Sequence, residues 1–196
     1  MKKLISIIFI IAVFAAGIFL YLRNADVGVN YERFNMVAPG ILRTPVERFN
    51  NIVDYPFKEN YLIIGDTRIH YLDEGPKDGE IIYLLHGEPA WSYLFRKMIP
   101  ILTRAGYRVI APDMVGFGKS DKYVSIKDYS HQMHVDKMIQ LIVELDLNNV
   151  TAHVHDWGGL VGLRVIAEEP KRFSRVIASN TSLIAPGRGF FREIMS

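Results

Sequence analysis

The feature that most restricts the fold is a series of short, largely apolar runs that alternate with helix-period segments from Tyr61 onward. Ile81–Leu85, Tyr107–Ala111, Val150–Val154 and Arg175–Ala178 have the length and content of strands buried on both faces, as in parallel sheets. Between them, Tyr93–Thr103, Tyr129–Leu145 and Leu160–Ala167 carry apolar residues at helical spacing, such as Met133, Met138, Leu141, Ile142 and Leu145. Ahead of them, Tyr61–Ile64 and Thr67–Leu72 read as a hairpin across the Gly65-Asp66 turn. Alternating strands and helices predict a mainly parallel sheet covered by helices, the α/β class.

A second feature stands apart from this pattern. Leu4 to Leu22 contains no charged residue, and about 18 apolar residues suffice to span a bilayer core. A buried helix of that length would keep a polar face. A cleaved signal peptide would stop near Ala15-Ala16-Gly17, whereas Ile18–Leu22 continue the run. The expectation is a retained membrane-spanning anchor over 1–23, a tether and arm over 24–51, and a globular α/β domain over 52–196. Lys2 and Lys3 on the near side place the globular part outside the cytoplasm. A formal net charge of +2 with no basic stripe argues against a nucleic-acid partner. The absence of cysteine excludes disulfides and thiolate metal sites.

In parallel sheets, ligands bind beyond the carboxyl ends of the strands. Three such ends carry unusual residues: His86-Gly87-Glu88-Pro89-Ala90-Trp91, Asp113 through Asp121, and His155-Asp156-Trp157-Gly158-Gly159. A strand, one polar residue and two glycines opening a helix have the shape of a nucleophile elbow, with Asp156 where serine is more familiar. Asp156 is equally a good helix N-cap. The His86–Glu88 loop weighs toward catalysis, because it lies where the first oxyanion donor of such a fold belongs. The backbone N–H groups of Glu88 and Trp157 would then converge on one point. A carboxylate is ionised at neutral pH and needs no base to be nucleophilic. Attack on a saturated carbon would give a stable alkyl ester, which points to alkyl halides or epoxides as substrates.

From about Leu42 to Leu183 the sequence resembles the haloalkane dehalogenases of the α/β-hydrolase superfamily. The resemblance rests on Arg43-Thr44-Pro45, Tyr71 to Pro76, His86 to Tyr93, Arg96 to Pro100, Val109 to Asp121 and His155 to Gly159, in that order. It implies that Asp156 is the nucleophile and that Glu88 and Trp157 supply the backbone oxyanion hole. It also places halide and substrate binding at Trp157 and Glu88. The implied partners are a small halogenated alkane and water, with no cofactor. Epoxide hydrolases share the elbow and are the alternative, although Glu88 stands where their loop usually has a bulky apolar residue. The resemblance further implies a helical cap, a triad acid and a catalytic histidine beyond Ser196. The chain therefore reads as the N-terminal portion of such an enzyme, incomplete for turnover, with an inactive membrane-tethered remnant as a third reading.

The remaining polar residues carry simpler expectations. His131 and His134 are read as a solvated helix face, His70 and His153 as structural. His155 is read as pointing away from its neighbour Asp156, and Asp113 as a loop-fixing acceptor.

Overall fold

The structure is a computed structural model that describes residues 35–182. Nine strands are present among these residues: β1 (Asn35–Ala38), β2 (Ile41–Arg43), β3 (Asn60–Ile64), β4 (Thr67–Glu74), β5 (Ile81–Leu85), β6 (Arg108–Pro112), β7 (Lys122–Tyr123), β8 (Val150–His155) and β9 (Phe173–Ser179). The α-helices are α1 (Ile99–Arg104), α2 (His131–Glu144) and α3 (Trp157–Glu168). The main sheet has the order β3-β4-β6-β5-β8-β9. Its β3–β4 and β4–β6 pairs are antiparallel, and β6, β5, β8 and β9 run parallel.

Strand period places alternate residues of the central strands on opposite faces. Tyr83, Leu85 and Ile110 join Met138, Leu141 and Ile142 of α2 and Val161 and Val165 of α3 in one core. Leu84, Val109 and Ala111 join Phe95 and Ile99 in a second core on the other side. That two-sided burial is why these strands read as unbroken apolar runs.

The structure departs from the expected elements in three places. Tyr93–Thr103 is not one helix: a 3-10 turn over Ser92–Phe95 precedes α1, which starts at Ile99 with Pro100 in its first turn. Proline lacks the N–H for an interior helical bond and is tolerated only there. Tyr129–Leu145 likewise starts late, because Ser130 caps α2 by accepting from the Met133 N–H (3.0 Å).

The third difference concerns the arm. From Asn35 on, the 24–51 stretch is folded rather than a free tether. β1 pairs β2 and β2 pairs β7 in a small antiparallel sheet, and Arg43 clasps Asp121 through two hydrogen bonds of 2.8 and 2.9 Å.

Strand β9 is the last of the main sheet. It occupies the sheet edge, with Val176 45% and Ile177 53% exposed. The run 4–22 and the stretch past Ser182 lie outside the described residues. Among the described residues no helix is long and apolar enough to cross a membrane.

Candidate active site

Strand β8 ends at His155 and α3 begins at Trp157, so Asp156 alone makes the turn. Its backbone has φ 56° and ψ −127°, a region that non-glycine residues rarely occupy. Such strain persists only where the surroundings over-determine it, and here they do. The Asp156 N–H donates to the Ser179 carbonyl at the end of β9 (3.3 Å), and the Gly159 N–H donates to the Asp156 carbonyl (2.8 Å). Gly158 lies against the backbone carbonyls of Leu85 and His86, where a Cβ would overlap them. The two glycines after the elbow thus answer to close approach of chain segments, not to flexibility.

The carboxylate meets the loop after β5. The Glu88 backbone N–H donates to Asp156 Oδ1 at 3.0 Å. Gly87 faces the same carboxylate so closely that a Cβ would collide with it. One carboxylate oxygen is therefore pinned by a backbone donor, which restrains the side-chain rotamer, and among the described residues the second oxygen has no hydrogen-bond donor. Trp157 is the first residue of α3, and the first N–H groups of a helix have no intrahelical acceptor. The sequence-predicted site residues Asp156, Glu88 and Trp157 are thus adjacent, the first two in direct contact.

The loop itself is held from below by His86. The Met114 N–H donates to His86 Nε2 (3.0 Å) and His86 Nδ1 lies 2.9 Å from the Gly87 carbonyl. A backbone N–H can only donate, so Nε2 is the acceptor, Nδ1 carries the proton and the ring is neutral. Burial pushes its pKa below the ordinary value, against the opposing charge of Asp113.

Asp113 is the second organiser, at the end of β6. It is fully buried. It accepts from the Ser92 N–H (2.8 Å), the Lys119 N–H (2.9 Å) and His70 Nδ1 (2.9 Å). This is the loop-fixing role expected of it, and it makes His70 structural. His153 Nε2 pairs with Ser179 Oγ (3.1 Å), joining β8 to β9. None of the six histidines hydrogen-bonds Asp156.

Two openings flank Trp157, which is 49% exposed. One, of about 380 Å³, is bordered by Asp156, Leu160, Asn180, Thr181 and Ser182. The other, of about 200 Å³, is more apolar and is walled by Met114, Phe117, Tyr129, His134 and Val161 with Glu88 at its edge. His134 is therefore not on a solvated face. Its ring lies 6.4 Å from Phe117 and 6.2 Å from Tyr129, and burial, with the neighbouring His86 and His131, pushes its pKa down to about 4. His131 Nε2 lies 3.1 Å from the Leu160 carbonyl, tying α2 to α3. Helical spacing alone could not tell which face His134 would take, because its neighbour Phe117 comes from the loop after β6.

Residues 80–192 match the family model described as the alpha/beta hydrolase fold. The chain is 58% identical over 148 residues to a haloalkane dehalogenase of Psychrobacter cryohalolentis, covering 73% of this chain and 49% of that protein. It is 55% identical over 145 residues to one of Mycolicibacterium paratuberculosis, covering 71% and 48%. The chain thus spans about half the length of the curated relatives it matches. Among solved structures, it is similar to a tetrameric haloalkane dehalogenase from Paraglaciecola agarilytica, with a TM-score of 0.72, 46% identity and coverage of 76% of this chain and 51% of that one. An epoxide hydrolase of Vigna radiata is more distant, with a TM-score of 0.64, 27% identity and coverage of 71% and 44%. The sheet, the strained elbow and the facing loop, together with the match over residues 80–192, place this chain in the α/β hydrolase fold family.

Proposed function

We propose that this chain carries the nucleophilic half of a haloalkane dehalogenase, a hydrolase that cleaves carbon–halogen bonds. The observation that carries the reading is Asp156 on the elbow with Oδ1 held by the Glu88 N–H at 3.0 Å. The free oxygen attacks a saturated carbon, the carbon–halogen bond breaks, and halide departs toward the Trp157 indole N–H, a donor-only group suited to an anion in apolar surroundings. The pinned oxygen becomes the carbonyl oxygen of the resulting alkyl ester. When water adds to that carbonyl, the negative charge develops where the Glu88 and Trp157 N–H groups converge, and one such donor contributes about 10²–10³-fold in rate. The alcohol then leaves and the carboxylate is restored.

Hydrolysis also needs a general base, and the described histidines do not supply one in contact with Asp156. The described residues therefore account for alkylation. Incubating the full chain with a 1-bromoalkane and mapping peptides by mass spectrometry should find one alkyl group, on Asp156. Unmodified Asp156 after prolonged incubation would refute the reading. The epoxide hydrolase alternative is less favoured, since the curated dehalogenases named above are 58% and 55% identical to this chain and the epoxide hydrolase 27%.

We further propose that Leu4–Leu22 anchors the chain in a membrane, with the globular part outside the cytoplasm. The support is the uncharged run itself and the lysines before it. The full chain should remain in the membrane pellet after alkaline carbonate washing. Its release into the supernatant would overturn the anchor.

A further inference from the structure

The two glycines of the elbow differ in what they make room for. Gly158 admits backbone, whereas Gly159 admits the side chain of Thr181, which a Cβ would overlap. Thr181 follows β9 and stands 25 residues from the elbow, yet its Oγ–H donates to the Asp156 carbonyl at 2.8 Å. That carbonyl also accepts from the Gly159 N–H at 2.8 Å, so both of its lone pairs are engaged. The Gly159 bond is local to the start of α3 and turns with it. The Thr181 bond comes from the segment after the neighbouring strand and fixes the peptide from outside the helix.

The carbonyl of Asp156 and the N–H of Trp157 belong to one peptide group. That group is planar and trans, so its C=O and N–H point in opposite directions. Holding the oxygen therefore aims the hydrogen. We infer that Thr181 is a positioning residue: by clamping the Asp156 carbonyl, its hydroxyl directs the Trp157 N–H at the oxygen that becomes the oxyanion. This rests on the proposed nucleophilic role of Asp156 for its catalytic meaning, but the aim of the N–H can be measured without any reaction. Serine retains the hydroxyl, and valine has nearly the shape of threonine without it, so the pair separates the bond from the packing against Gly159.

The test is an amide-resonance pH titration of the full 196-residue chain. An N–H aimed at a carboxylate shifts as the carboxylate ionises. In the wild type, the Trp157 and Glu88 amide protons should both follow one inflection that Asp156→Asn removes. In Thr181→Val the Trp157 response should be largely lost while that of Glu88, held by the His86 loop, persists. Thr181→Ser should restore the Trp157 response. A wild-type Trp157 amide that ignores Asp156 would overturn the inference even if the valine variant failed to fold, as would a Thr181→Val response equal to wild type. In the alkylated protein, cleavage of the Asp156 ester by hydroxylamine, which releases the alcohol and leaves a hydroxamate, should slow in Thr181→Val. The expected slowing approaches the factor of about 10² for a lost oxyanion donor. Absence of any alkyl adduct would speak against the nucleophile assignment alone, because the titration does not depend on it.

Discussion

Asp156→Asn is expected to abolish covalent alkylation while leaving the fold in place. Asparagine tolerates positive φ better than most residues, so the backbone at 56° remains accessible to it. Its side-chain oxygen can still accept the Glu88 N–H that now reaches Oδ1 at 3.0 Å. What disappears is the negative charge, and with it the proposed nucleophile. Removal of a nucleophile from a preorganised site costs on the order of 10⁴-fold or more in rate, which here means no detectable adduct. Intact-mass measurement of both proteins after exposure to the same bromoalkane would read the loss. A urea titration should show stabilities that agree within about 1 kcal/mol, the scale expected when a surface-accessible site keeps its hydrogen bonds. An adduct of equal yield in the variant would move the nucleophile elsewhere.

The largest stability effect is expected at Asp113. Burial on its own pushes this carboxyl up, but the hydrogen bond and charge of His70 and the Lys119 backbone N–H together hold it below the ordinary value. Asp113→Ala would leave the Ser92 and Lys119 N–H groups and the His70 ring buried without their acceptor. Deleting one partner of such a buried cluster costs about 3–5 kcal/mol, a large part of the 5–15 kcal/mol, roughly, that holds a domain together. The loss would also disturb the site, since Ser92 follows the His86–Trp91 loop and Lys119 closes the loop after β6.

The pH dependence follows from the sign of the shift. A carboxyl whose folded value is depressed stabilises the protein fully above its unfolded value, near 3.8. That contribution is lost as the pH falls through the lower folded value. The wild type should therefore lose stability in acid more steeply than Asp113→Ala, measured as urea midpoints at successive pH values. Parallel acid profiles would show that Asp113 is not held ionised by its neighbours.

Local sequence determined much of this protein. The central strands and the helices that follow them were legible because two-sided burial leaves an unbroken apolar run and one-sided burial leaves a helical period. The elbow was legible because a sharp strand-to-helix turn requires small residues on its far side, and Gly158 and Gly159 stand there in plain order after Asp156. The Glu88–Asp156 contact, across 68 residues, could be anticipated only because the elbow motif implies a fold whose topology brings those two strand ends together.

Other features have no local signal. The residues of β9 look as apolar as those of β8, and only the sheet order makes β9 an edge with Val176 and Ile177 exposed. β1, β2 and β7 are too short to show a period, so their sheet exists through pairing between distant segments and through the Arg43–Asp121 clasp. His134 is turned into a cleft by Phe117 and Tyr129, and Thr181 reaches the elbow only because β9 lies beside β8. Periodicity records how a segment meets its surroundings on average, whereas which side chain meets which is decided when strands from different parts of the chain take their places in the sheet.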